Sequence, residues 1–89
     1  MTDLRHWTVD VYVGDDDGQT FAEAALSDDL GHQVLGTGRA RRSPADLNVP
    51  GIGDEIAVGR ALANLGHHLL DTAADDIETI THEPVRLHG

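Results

Sequence analysis

The sequence contains no cysteine and only one residue each of Phe, Trp and Tyr. The lack of cysteine excludes disulfides, zinc sites of the cysteine type and thiol chemistry. The core of this 89-residue chain must therefore be built mainly from Val, Ile, Leu and Ala. A chain of this length forms a single domain, expected over residues 1–89, and buries only about 60% of the surface it exposes when unfolded. Such a domain has room for a small sheet and a helix, but none for an enclosed catalytic chamber.

Lysine is also absent. All six basic residues are Arg, and they stand against 16 acidic residues, which gives a formal net charge of −10. A negative field of this size repels phosphate backbones, whose binding depends on neutralisation by Lys and Arg. We therefore expect no DNA partner, and RNA or a ribosome is disfavoured. The excess of acidic residues is accounted for by a need for solubility or by the residue bias of the genome. The alternative is that it forms an acidic surface that binds a basic protein partner.

No hydrophobic run approaches the roughly 20 residues that are needed to span a bilayer. The first residues, Met1-Thr2-Asp3-Leu4, contain neither the basic stretch nor the apolar segment of a signal peptide. We therefore expect no membrane association and a cytoplasmic location.

In three segments of the N-terminal half, the residues that would lie on the buried face of a β-strand alternate with those that would lie on its exposed face. They cover residues 6–13, 19–27 and 32–41, and the turns between them cover residues 14–18 and 28–31. Short turns favour hairpin pairing, so we expect a three-stranded antiparallel sheet. Small residues line one face of the third strand at Gly36, Gly38 and Ala40. Together with Ala22 and Ala24 they would form a shallow trough into which another backbone could settle.

A long amphipathic helix is predicted after the loop that ends at Gly51. Its apolar and small residues recur at spacings of four and three, as in a helix that packs one stripe against a core. The residues of this stripe are Ile52, Ile56, Gly59, Ala63, Gly66 and Leu70. We expect Gly59, Ala63 and Gly66 to lie in the trough of the third strand. Residues 76–81 are expected to form a separate short helix that ends before Pro84.

The predicted fold class is thus α+β, in the order β-β-β-α, with one long helix on one face of the sheet. A second apolar stripe on that helix exceeds what one small sheet needs to cover. This leucine ridge consists of Val58, Leu62, Leu65 and Leu69. A second copy of the chain that covered the ridge would enlarge the small core. We therefore expect a homodimer.

No pattern in the sequence indicates catalysis. Ser27 and Ser43 lie outside any Gly-x-Ser-x-Gly elbow, and the carboxylates are too widespread for one acid–base pair to stand out. His67 and Asp71 are one helical turn apart, but two ligands do not make a zinc site. We expect no enzyme activity, no catalytic residue, no metal site and no cofactor.

Arg39, Arg41 and Arg42 form a basic cluster in this acidic chain. Their guanidinium groups could hold a phosphate, an RNA backbone or a protein partner by paired hydrogen bonds. They could instead flank Ser43 as part of a phosphorylation site. They could also pair with Glu23 and the acidic turns. The sequence leaves these three interpretations open.

Three stretches carry a resemblance to a known family. They are residues 6–10, residues 40–55 with 61–65, and residues 76–78 with 81–87. They resemble a family of short actinobacterial proteins that is catalogued as a domain of unknown function, number 1876. The resemblance covers nearly the whole chain. It is specific, because the loop over residues 44–55 is not an arrangement that generic folding demands.

The resemblance implies a fold similar to that of double-stranded-RNA-binding domains, and it implies no established catalytic or ligand-binding residue. Fold similarity alone says little about function. We expect a non-catalytic, homodimeric interaction module that acts in a stress or dormancy response. The alternative is a ribosome- or RNA-associated factor of the hibernation type that uses the arginine cluster.

Overall fold

The computed structural model describes residues 3–41 and 51–81, which form three β-strands and one α-helix. The elements are β1 (Thr8–Asp16), β2 (Gln19–Ser27), β3 (Gln33–Arg41) and α1 (Ile52–Thr81). The sheet is antiparallel with the order β1-β2-β3, so that β2 is the central strand. The predicted α+β class, with a three-stranded antiparallel sheet and one long helix, is confirmed. No helix in the described part of the chain is long and apolar enough to cross a membrane.

A two-residue turn, Asp17-Gly18, joins β1 to β2. Both residues have positive φ, at 51° and 77°. This combination is typical of a type I′ turn, whose twist matches that of the two strands it connects. The prediction of a turn over residues 14–18 is therefore wrong in its extent, since β1 continues to Asp16.

Gly14 stays within β1 because an aromatic ring from β2 lies beside it. Phe21 is the register partner of Gly14, and a Cβ added at Gly14 would lie 2.6 Å from the ring atom Cζ. The ring therefore occupies the space of the missing side chain, an arrangement that stabilises glycine in a strand. The hydroxyl of Thr20 also donates a hydrogen bond of 2.8 Å to Asp15.

Asp28 organises the turn from β2 to β3. Its Oδ1 accepts hydrogen bonds of 2.8 Å from the backbone N–H groups of Leu30 and His32, and Gly31 has a positive φ of 86°. Its Oδ2 lies 3.1 Å from Nδ1 of His32. Desolvation raises the pKa of the Asp28 carboxyl, but the hydrogen bonds from His32 and Leu30 outweigh it and lower the pKa below its ordinary value. The ionised carboxylate is therefore the form that stabilises this turn.

α1 packs against β3 and β2 through very small residues. The core consists of Ala22, Ala24, Leu26, Ala40, Ala57, Ala61 and Leu65. Gly36 and Gly38 lie directly beneath the helix, and a Cβ at either position would come within 3.0 Å of helix backbone atoms. The predicted close approach on the small face of β3 is confirmed. Dispersion contact between backbones replaces the large side chains that this core lacks.

The prediction of which helix residues lie in the trough is wrong. A Cβ at Gly59 or Gly66 would have no atom within 4 Å, and Ala63 is exposed. The residues that contact the sheet are instead Ala57 and Ala61, followed by Leu65. The alanines of α1 are distributed around the helix, so its periodicity did not single out the buried face.

A separate short helix at the C-terminal end was also predicted wrongly. Residues 76–81 are helical, but they form the last turns of α1, which runs without interruption over 30 residues. Pro84, which was expected to follow the short helix, lies outside the described residues. No glycine or proline occurs between Gly66 and Thr81 to end the helix earlier.

Candidate interaction surface

Side chains of α1 cover the outer edge of β3. The hydrogen bonds run from Arg60 Nη1 to the Arg39 carbonyl (2.5 Å), from Asn64 Nδ2 to the Thr37 carbonyl (2.5 Å) and from His68 Nδ1 to the Leu35 carbonyl (2.6 Å). The donors are four residues apart, so they lie on one side of the helix. Because a carbonyl only accepts, Nδ1 of His68 carries the proton. The backbone acceptors of this edge are therefore occupied.

Within residues 3–41 and 51–81, the outer edge of β1 has no such cover. α1 lies mainly over β3 and β2 and barely reaches β1. None of the hydrogen bonds found in the described residues joins an α1 side chain to the backbone of β1. An open strand edge of nine residues is a template for pairing with another strand. The two edges of the sheet thus differ sharply.

The valine row, Val9, Val11 and Val13, lies on the helix side of β1. Its members face the core residues Leu26, Ala24 and Ala22 across the β1–β2 register. Those core residues are buried by α1, whereas the three valines remain 38–44% exposed. The apolar face of the sheet therefore extends beyond the area that the helix covers. Trp7, directly before β1, is also 46% exposed.

The leucine ridge of α1 borders this uncovered area. The polar side chains that bind β3 lie on one flank of the buried stripe of α1. The leucine ridge lies on the other flank, and it therefore faces β1. Leu65 belongs to the core, Val58 and Leu69 pack partly against it, and Leu62 is 43% exposed. Most of the ridge therefore serves the fold of a single chain, and Leu62 is its exposed member.

Arg39 and Arg41 lie on the outer face of the sheet, away from α1, and both are exposed. Neither guanidinium forms an ion pair with Glu23 or any other carboxylate in residues 3–41 and 51–81. Arg42, the third member of the predicted cluster, lies outside the described residues, as does Ser43. Tyr12 and Phe21 are exposed on the same outer face, at 62% and 44%.

The histidines of the described part do not form a metal centre. No group of three or more His, Asp or Glu side chains in residues 3–41 and 51–81 could hold an ion. His68 binds the backbone of β3, and His32 pairs with Asp28. These two histidines therefore have structural partners.

Sequence reasoning missed the three side chains that cover β3. The signal is present, since Arg60, Asn64 and His68 recur every four residues and each directly precedes an alanine or a leucine. It is weak, because polar residues beside an apolar stripe are what any exposed helix contains. Their role becomes visible only when the outer edge of β3 is found next to them.

These features define a class: a small α+β domain in which one long helix covers two strands of an antiparallel sheet and barely reaches the third. A sequence profile of the family described as Rv2632c-like matches residues 5–86. The chain therefore belongs to the Rv2632c-like family.

Two curated relatives agree with this assignment. The chain is 48% identical over 84 residues to uncharacterized protein Mb1767 of Mycobacterium bovis, covering 94% of this chain and 88% of that protein. It is 44% identical over 89 residues to uncharacterized protein Rv2632c of Mycobacterium tuberculosis, covering 96% and 95%. The relatives are thus short mycobacterial proteins of unknown function, and the expectation of such an actinobacterial family is confirmed.

A solved structure has the same fold. The crystal structure of Rv2632c superposes with a TM-score of 0.81 at 41% sequence identity, covering 93% of this chain and 98% of that chain.

Proposed function

We propose that this protein is a non-catalytic interaction module that works as a homodimer, with the open edge of β1 and the valine row at the contact between two copies. One observation carries the proposal. Among the residues that the structure describes, helix side chains bind the outer carbonyls of β3, whereas the edge of β1 is open and lies beside uncovered apolar residues. Proteins usually protect sheet edges, so an edge left apolar and open favours a strand partner.

The thin core supports a second copy as that partner. The buried core cluster consists of five alanines and two leucines, Leu26 and Leu65. A domain of this size has a small stability margin. Contact between two valine rows would remove more apolar surface from water without any change in the fold of either copy.

The remaining parts of the proposal concern the setting. We propose a role in a stress or dormancy response, a cytoplasmic location and no catalytic activity. Support for the last point comes from the sequence, in which neither Ser27 nor Ser43 lies in a Gly-x-Ser-x-Gly elbow.

Sedimentation equilibrium tests the dimer with a pair of matched variants. Val11→Lys places a charge in the valine row, and Leu35→Lys places the same charge on the outer face of β3, where Leu35 is 47% exposed. Lysine is tolerated at strand edges, so both variants should fold. We expect a wild-type dimer at micromolar concentration, a dimer weakened by about tenfold or more in Val11→Lys, and little change in Leu35→Lys. A wild-type monomer at high micromolar concentration would contradict the proposal.

Association with RNA or a ribosome is a second candidate function. The exposed Arg39 and Arg41 share the open outer face with Tyr12 and Phe21. Aromatic and guanidinium groups on an open sheet favour stacking with single-stranded RNA.

The β-β-β-α order supports a fold similar to double-stranded-RNA-binding domains. That likeness and the catalogue number 1876 stay predictions.

Charge opposes this second candidate, because the chain has a net charge of −10. Cosedimentation with ribosomes at low salt tests it. Wild type should pellet, and a variant with Arg39, Arg41 and Arg42 all replaced by Ala should stay in the supernatant. If wild type does not pellet even at low salt, this candidate is wrong.

A further inference from the structure

The register of the sheet determines which backbone groups of β1 point outward. N–H and C=O groups of an antiparallel strand point alternately to its two sides. On β3, the carbonyls of the odd-numbered residues are bound by α1 side chains and so point away from β2. The β2–β3 and β1–β2 registers together show that the odd-numbered residues of β1 also direct their N–H and C=O groups away from β2. Val9, Val11 and Val13 therefore present their backbone groups at the open edge.

We propose that two copies join β1 to β1 in antiparallel orientation around a two-fold axis at Val11, which produces a continuous six-stranded sheet. This inference rests on the proposed homodimer and specifies its geometry. Val11 faces Val11 of the second copy, and Val9 faces Val13. Each of these pairs consists of residues with outward-pointing backbone groups, as hydrogen-bonded pairing requires. Both valine rows lie on the helix side of the joined sheet.

Charge disfavours two of the neighbouring registers. A two-fold axis at Asp10 would place Asp10 against its own copy, and an axis at Val13 would place Asp10 against Asp16. Like charges in direct opposition destabilise a sheet. An axis at Val11 instead places Asp10 against Tyr12, which avoids both contacts.

The ends of β1 carry opposite charges, which favours the antiparallel orientation. Arg5 lies before the strand and is the only Arg or Lys before residue 39. Asp15, Asp16 and Asp17 lie at the other end. With the axis at Val11, Arg5 faces Asp17 of the second copy, and His6 faces Asp16. A parallel arrangement would place the two aspartate clusters side by side, and an axis at Tyr12 would move Arg5 away to Gln19.

Single cysteines test the register, because the natural chain has none. Val11→Cys places two thiols on the axis, where paired Cα atoms are about 5.5 Å apart, within the range of a disulfide. Tyr12→Cys places them on a diagonal of about 7–8 Å, which is too long. Under mild oxidation we expect Val11→Cys to form a covalent dimer in high yield. Tyr12→Cys should form little, no more than the outer-face control Thr37→Cys.

A double-mutant cycle tests the charge pair without thiol chemistry. Arg5→Gln and Asp17→Asn each remove one charge, and Asn suits the positive φ of 51° at position 17. Each single change should raise the dimer dissociation constant about three- to tenfold at low salt, since the pair occurs twice per dimer. The double variant should be no weaker than either single variant. Asp29→Asn, in the other turn, should leave the constant unchanged.

The results of these experiments distinguish an error in the proposed register from an error in the proposed homodimer. If the chain dimerises but Tyr12→Cys cross-links better than Val11→Cys, the register is wrong and the homodimer stands. Additive effects of Arg5→Gln and Asp17→Asn would likewise overturn the register alone. If wild type sediments as a monomer, the homodimer itself is wrong.

Discussion

Glycine at position 36 sets the distance between α1 and the sheet. A Cβ there would lie 2.7 Å from Cα of Leu65 and would also meet backbone atoms of Ala61. Backbone cannot rotate away as the end of a flexible side chain can, so the helix itself would have to move. Two of the core residues of α1 would lose contact as a result.

We therefore expect Gly36→Ala to lower the free energy of unfolding by about 1–3 kcal/mol, as overpacking does in other cores. Gly59→Ala is the matched control, since a Cβ there meets nothing within 4 Å. It should raise stability by about 0.5–1 kcal/mol, because Ala is the better helix former. Urea denaturation measures both. A neutral Gly36→Ala would mean that the helix is free to shift on the sheet.

Asp28 gives the β2–β3 turn a pH dependence. Its pKa is lowered in the folded protein, so its contribution to stability is present above the pKa of the unfolded chain, about 3.9. The contribution is lost as the pH falls through the lower, folded pKa. Asp28→Asn should therefore be less stable than wild type at neutral pH, and the difference should shrink below about pH 4.

Urea denaturation between neutral pH and pH 3 measures this difference. Asp29→Asn serves as the control, because Asp29 is the exposed neighbour of Asp28 in the same turn. A constant gap between wild type and Asp28→Asn across the series would show that the carboxylate is not the stabilising form.

At the scale of elements, α1 has two structural roles. One stripe fills the trough of β3, and a neighbouring line of polar side chains satisfies the outer carbonyls of the same strand. Helix side chains on these carbonyls disfavour a further strand at this edge. In the described part of the chain, β1 is the edge strand whose backbone lacks such contacts.

His68→Ala should expose the carbonyl of Leu35 and cost about 0.5–1.5 kcal/mol of unfolding free energy. His67→Ala changes the adjacent residue, which is exposed on the same helix, and should cost little. Amide hydrogen exchange along β3, together with urea denaturation, distinguishes the two variants. Equal behaviour of the two variants would contradict the covering role of His68.

At the scale of the whole molecule, a homodimer links stability to concentration. Folded copies that associate draw the equilibrium away from the unfolded chain, so the Tm should rise with protein concentration. Calorimetry at concentrations well above and well below the dimer dissociation constant measures this rise. Val11→Lys, the variant that weakens pairing, should show a smaller rise. A wild-type Tm that is independent of concentration would contradict the dimer.

Much of the fold was predictable from local patterns. The alternation of residues located all three strands, and the small residues of β3 indicated a closely packed helix. The extent of the first turn was missed, because three aspartates after Gly14 resemble a loop. What kept Gly14 in the strand was the Phe21 ring of the next strand, a contact across the hairpin.

The sequence by itself determined the three strands, the long helix and the antiparallel order, because these depend on periodicity and on short turns. The family followed from the residues of three particular stretches. Only the tertiary structure decided which face of α1 is buried and which strand is left open. Alanine and leucine occur on several sides of α1, so several orientations bury similar apolar area, and the choice depends on backbone contact at Gly36 and Gly38. That choice places α1 over β3, and the exposure of the valine row follows from it.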